Sequence, residues 1–185
     1  MLRGCFITIL MAVALATSVS ACPDKVYIGL YADDSHSDCS RYLNDYAPFD
    51  VWVWVMPSTS GVECLEYRLE APPWLQLLST EQHYLTYDPT ENYDWFGDGG
   101  IVCYEYCRFQ WTWVCKHTMV PLQTGLQGYI TVKERLSTGK LEAVTCKLNR
   151  PVQPVDILNY LAINLPCIVG TETTSWGAIK GLFSE

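Results

Sequence analysis

Three histidines, two clusters of carboxylates and seven tryptophans are where this sequence carries chemistry. His36, His83 and His117 stand in no G-x-S-x-G or H-E-x-x-H setting, so no serine or zinc hydrolase signature is present. A Cys–His nucleophile needs a free thiol, and the cysteines are expected to be oxidised. No residue is assigned a catalytic role. Asp33, Asp34 and Asp38 crowd one loop, and Asp88, Glu91, Asp94 and Asp98 crowd another. Hard oxygen donors on a flexible loop suit calcium. Asp88, Asp94 and Asp98 are the candidate ligands, although the D-x-D-x-D-G spacing is missing. Two acids drawn from these loops are also what a glycoside hydrolase would use.

The tryptophans offer a different chemistry. Trp52 and Trp54 share one face of a strand, opposite Val51, Val53 and Val55. The valine side is the natural core face, so the two indoles fall outside the main core. They are expected to be covered by the irregular segment 72–100, because large exposed apolar patches are rare. Left open, they would stack on sugar rings or act as a protein-contact hot spot. Trp52, Trp54 and Trp95, the last in an acidic and aromatic loop over 88–100, are the candidate ligand-binding residues. Trp111 and Trp113 are expected in the core beside Phe109 and Cys115, since Arg108, Gln110, Thr112, Val114 and Lys116 line the opposite, largely polar face.

Whether any thiol is free depends on the compartment. Arg3 precedes an apolar run from Cys5 to Ala16, and small residues follow to Val19-Ser20-Ala21, the three parts of a secretory signal. The run is too short to span a bilayer, which takes about 20 apolar residues, and no other stretch qualifies. Residues 1–21 are expected to be removed, leaving 22–185 as one domain. Val19-Ser20-Ala21-Cys22 also fits a bacterial lipobox, which would place a lipid on Cys22. Nine cysteines less Cys5 leave Cys22, Cys39, Cys64, Cys103, Cys107, Cys115, Cys146 and Cys167. An even number in an exported chain reads as a disulfide framework with every thiol paired. That favours a soluble secreted or periplasmic protein over a membrane-anchored lipoprotein. Cys103-x-x-x-Cys107 lacks zinc-knuckle spacing and has no His pair beside it. Twenty acids against twelve bases argue against nucleic acid or anionic membrane as a partner.

These residues must be positioned by strands. Val26–Tyr31 is β-branched and aromatic, and runs into the polar cluster from Asp33. Phe49–Met56 and Val62–Ala71 both alternate, with Pro57-Ser58-Thr59-Ser60-Gly61 between them, and are expected to form an antiparallel pair. Ile101–Tyr106, Arg108–Lys116 and Gly128–Lys133 are further strands, and Leu141–Leu148 is expected to be the hairpin partner of the last. Residues 156–165 are apolar and fit a strand or a short helix. Trp176, Ile179, Leu182 and Phe183 have helical spacing, with Thr174 or Ser175 as cap.

Two sets of residues resemble known groups. Ile28-Gly29-Leu30-Tyr31-Ala32-Asp33, Cys39 shortly after it and the closing Thr174-Ser175-Trp176-Gly177-Ala178-Ile179-Lys180-Gly181-Leu182-Phe183 are similar to uncharacterised exported bacterial β-proteins. Those have an N-terminal I-G-x-Y-x-D strand and a C-terminal S-W-G-x-x-K-x-L segment. The alternating Phe49–Leu69 region is similar to the front hairpin of cohesin-like and immunoglobulin-like sandwiches. The expectation is therefore an all-β, antiparallel, disulfide-stapled β-sandwich with a short C-terminal helix. Its expected role is a non-catalytic binding or structural module of the cell envelope or exterior, for protein or glycan. The alternative is a secreted hydrolase of surface glycans using loop carboxylates. Calcium is the one cofactor the residues suggest.

Overall fold

A computed structural model describes residues 25–83 and 94–167. Eleven strands lie within them: β1 (Val26–Tyr31), β2 (Ser40–Arg41), β3 (Phe49–Met56), β4 (Val62–Glu70), β5 (Leu75–Gln82), β6 (Gly100–Arg108), β7 (Thr112–Pro121), β8 (Gly128–Lys133), β9 (Glu142–Val144), β10 (Val152–Asn159) and β11 (Leu161–Ile163). No helix occurs among the described residues, and the expected terminal helix around Trp176 lies outside them. The 156–165 stretch forms the end of β10 and all of β11, and no helix.

Hydrogen bonding joins the strands in the order β2-β11-β8-β4-β9-β10-β1-β3-β7-β5, with β6 on β4. The ribbon folds over on itself. Val51, Val53 and Val55 of β3 and Val26, Ile28 and Leu30 of β1 meet Leu65, Tyr67 and Leu69 of β4 and Ile130 and Val132 of β8 in one buried core. Each set sits at alternate positions, which is what a two-layer β architecture requires of its inner faces.

Two expected hairpins are not formed. β3 pairs with β1 and β7, while β4 pairs with β6, β8 and β9. The Pro57–Gly61 turn, closed by Gly61 N–H to the Ser58 carbonyl at 2.9 Å, carries the chain across from one layer to the other. β8 and β9 do not pair either. They lie end to end along β4, β8 on Arg68–Glu70 and β9 on Cys64–Glu66, with residues 134–141 looped out between them. An Arg135–Lys140 bridge ties that flap at its base.

β1 and β10 run parallel, and their register slips between Ile28 and Gly29. Buried Asn159 repairs the slip. Its amide donates to the Leu30 carbonyl at 2.8 Å and its Oδ1 accepts from Leu30 N–H at 3.2 Å. A Cβ on Gly29 would lie 2.3 Å from that Oδ1, so the glycine of the I-G-x-Y stretch is there for close approach.

Three disulfides cross-link the chain, Cys39–Cys167, Cys64–Cys103 and Cys107–Cys146, the second between directly paired residues of β4 and β6. The expectation that all eight cysteines pair fails at Cys115. It is a free thiol, fully buried, and burial pushes its pKa up to about 12. Cys22 lies outside the described residues.

Candidate functional site

The outer face of the β1-β3-β7-β5 layer gathers the tryptophans. β3 alternates as read: Val51, Val53 and Val55 are fully buried, while Trp52 and Trp54 are half-buried on the outside. β7 does not alternate as read. A bulge opposite Val53 and Trp54 leaves Val114 unpaired, so Trp113 pairs with Trp54 and Cys115 with Val53. Inward positions are Thr112 before the bulge and Cys115, His117 and Met119 after it. The bulge explains why Trp111 and Trp113, expected in the core, are instead outside and half-buried beside Trp52 and Trp54. Phe109 is also outside the core, at 57% exposure.

Two aromatic clusters result. In one, Trp113 lies between Trp52, edge-on at 5.2 Å, and His83, stacked at 4.1 Å and 10°. His83 Nδ1 sits 3.1 Å from the Trp113 carbonyl oxygen. Lys116 reaches over the Trp52 ring at 5.4 Å and pairs with Glu81. In the other, His36 sits between Trp111, stacked at 4.6 Å, and Trp54, tilted at 4.6 Å, with Tyr31 edge-on at 5.9 Å. His36 adopts φ 47°, a left-handed backbone that a side chain rarely takes, and its ring packing holds it there. Three polar atoms of this second cluster lack hydrogen-bond partners: Trp54 Nε1, His36 Nδ1 and the Tyr31 hydroxyl. Burial lowers the pKa of both histidines, against the pull of Asp33 on His36 and of the Trp113 carbonyl on His83.

The described part of segment 72–100 reaches the face at one end. Its strand β5 adds to the edge of the same layer by pairing with β7, and among its described residues His83 lies over the Trp113 indole. Residues 84–93, and with them Asp88, lie outside the described residues. Trp95, expected as a ligand contact, is 2% exposed. It enters the core from the 94–99 turn and stacks on Tyr67 at 5.0 Å and 24°.

Asp33, Asp94 and Asp98 are engaged locally. Asp33 accepts from Ser37 N–H at 2.9 Å and from the Ser37 hydroxyl at 2.6 Å. Burial raises its pKa, but these bonds outweigh it and the net shift is downward. Asp94 caps its own turn by accepting from Gly97 N–H at 2.9 Å. Asp98 accepts from Arg135 Nε at 2.9 Å and from Ser137, and the arginine lowers its pKa. A general acid needs the opposite shift. Among the described residues, no three His, Cys, Asp or Glu side chains come together as a metal-ligating group.

Sequence reasoning named Trp52 and Trp54 and missed four members of the face: Trp111, Trp113, His36 and His83. Counting alternation back from Cys115 puts Trp111 and Trp113 inside. Counting forward from the valines of β3 through a bulge would have put them outside. The histidines reach the face from a loop and from the end of β5, and no spacing rule marks them.

No family model matches the chain, and no curated protein matches it. Among solved structures it is similar to a non-cellulosomal cohesin from the hyperthermophilic archaeon Archaeoglobus fulgidus, with a TM-score of 0.52 and 13% identity over 83% of this chain and 97% of that one. It is also similar to a chain of the complex between a CaDoc0917 variant and CaCohA2, with a TM-score of 0.50 and 9% identity over 75% of this chain and 98% of that one. The fold is cohesin-like. Identities this low speak for the architecture alone.

Proposed function

We propose that the chain is an exported, non-catalytic protein-binding module that presents its tryptophan face to a protein partner. One observation carries the reading. Four indoles from adjacent elements lie outside the core on one sheet face, half-buried against each other and two histidines, with the Trp54 N–H unpartnered. Tryptophans in such a setting are the commonest anchors of protein interfaces. Two further points support it. One of the similar structures belongs to a two-protein complex. Asp33, Asp38, Asp94 and Asp98 each accept hydrogen bonds within the fold, and the pKa values of Asp33 and Asp98 are lowered, opposite to what acid catalysis needs. Trp52 and Trp113 pack edge to face, which presents a ridge and not the flat platform a sugar ring prefers.

The test compares wild type with Trp52→Ala/Trp113→Ala on two arrays, one of envelope-protein fragments from the producing cell and one of glycans. Binding to protein spots that drops at least about tenfold in the variant, at matched melting temperature, supports the reading. Protein binding that the variant leaves unchanged, or binding confined to glycans, overturns it.

Export rests on residues 1–21 and fits the three disulfides, which persist in oxidising compartments. The burial of Cys115 removes the even-count argument against a lipid on Cys22, because six of the other cysteines pair among themselves. Cleavage after Ala21 without acylation gives a soluble form, and acylation of Cys22 would tether the module to a membrane. Intact mass of the exported protein separates the two.

A further inference from the structure

We infer a second binding site, for a small carboxylate with an apolar body, on the layer opposite the tryptophans. The topology creates it. β10 leaves β9 to join β1, while β11 turns back to pair with β8. The seam that opens beneath the 134–141 flap is a cleft of about 340 Å³. That is at the lower end of the range for small-molecule sites. Val132, Leu141 and Ile157 give it apolar lining, and Arg68, Lys133 and Arg135 line it with cations.

Charge decides the ligand class. The chain carries 20 acids and 12 bases, yet three cations and one acid, Glu134, line this cleft. Arg135 is held by Asp98 at 2.9 Å and by Glu66 at 3.6 Å, and Lys133 faces Glu70 at 3.6 Å. Arg68 differs. Its Nε donates to the Glu134 backbone carbonyl at 3.2 Å, and it has no carboxylate partner among the described residues. A guanidinium fixed through one N–H still offers its other donors, and a carboxylate fits them two at a time. The neighbouring valine, leucine and isoleucine would bury the ligand's hydrocarbon part. The carboxylate could belong to a free acid or to the C-terminus of a peptide ending in an apolar residue.

The experiment titrates the full mature protein and follows amide NMR shifts with four probes: hexanoate, hexanol, Ala-Ala-Leu and its C-terminal amide. Saturable shifts at residues of the cleft by hexanoate or the free peptide, at least about tenfold weaker for the matching neutral probe, are expected. Binding by hexanoate alone identifies a free acid as the ligand type, and binding by the peptide alone identifies a chain terminus. Arg68→Gln should lose the charged probe while keeping the melting temperature. Absence of saturation for both acids, hexanol binding as well as hexanoate does, or an unchanged affinity in a folded Arg68→Gln protein would each overturn the site. If that variant does not fold, the charged and neutral pairs on the unmodified protein decide.

Discussion

Trp95→Ala distinguishes a core tryptophan from a ligand-reading one. The side chain is 2% exposed, stacks on Tyr67 at 5.0 Å, and has His117 edge-on at 6.1 Å. A buried tryptophan covers about 150–250 Å², which at about 25 cal/mol per Å² is about 4–6 kcal/mol of transfer free energy. Relaxation around the cavity and a compact unfolded chain trim that figure, and truncations of this kind cost about 3–5 kcal/mol. Trp95→Phe keeps the stack and should cost well under half as much. Urea unfolding followed by circular dichroism measures both, with Trp52→Ala beside them for comparison. A Trp95→Ala cost below about 1 kcal/mol, the range of ordinary surface substitutions, would refute the placement of this residue in the core.

Three further outcomes follow from buried groups and cross-links. Cys115 should resist iodoacetamide in the native protein and label only on unfolding, since its thiol is fully buried with its pKa pushed up to about 12; native labelling followed by peptide mass spectrometry checks this. Burial lowers the His117 pKa to about 3. The group is neutral in the fold and titrates near 6.5 once unfolded, so its contribution is complete above pH about 6.5. It falls by about 1.4 kcal/mol per pH unit down to about 3. Stability against pH should therefore flatten across that window in His117→Gln. The Cys39–Cys167 link closes a loop of 128 residues and Cys64–Cys103 one of 39. Chain entropy then predicts losses of about 5 and about 4 kcal/mol on replacing each pair by serine. Denaturant titration of the two double variants should show the first to be the more damaged.

The strands were legible because their alternation is local. Val51, Val53 and Val55, and Leu65, Tyr67 and Leu69, are inside as the pattern requires. Pairing was not legible. Pro57–Gly61 has the composition of a hairpin turn, and the same residues serve as well for a chain that changes layers. The Leu141–Leu148 segment follows a turn, yet its strand β9 pairs with β10 and with β4, the latter already shared with β8. Those choices are made by distant strands competing for edges. Trp111 and Trp113 were misplaced for a different reason. Both faces of β7 carry large apolar residues, so one bulged residue reverses the assignment without offending the pattern. Trp95 was misread because acidic neighbours suggested solvent. Those acids cap a tight turn and pair with the flap, while the indole between them points inward.

The parallel pairing of β1 with β10 matters for mechanics as well as for folding. These strands lie near the two ends of the described fold, and a pull applied along the chain from both ends would load their hydrogen bonds together, in shear. Should they part, the Cys39–Cys167 bond takes up the tension. Among the described residues, 25–38 can then be drawn out ahead of it, a gain of about 50 Å at about 3.5 Å per residue. Everything between the two cysteines stays inside a covalent loop that carries no tension, although drawing out β1 takes Val26, Ile28 and Leu30 from the core. The same extension would carry Tyr31 and His36 away from Trp54 and Trp111, so the disulfide limits the length gained while the second aromatic cluster comes apart.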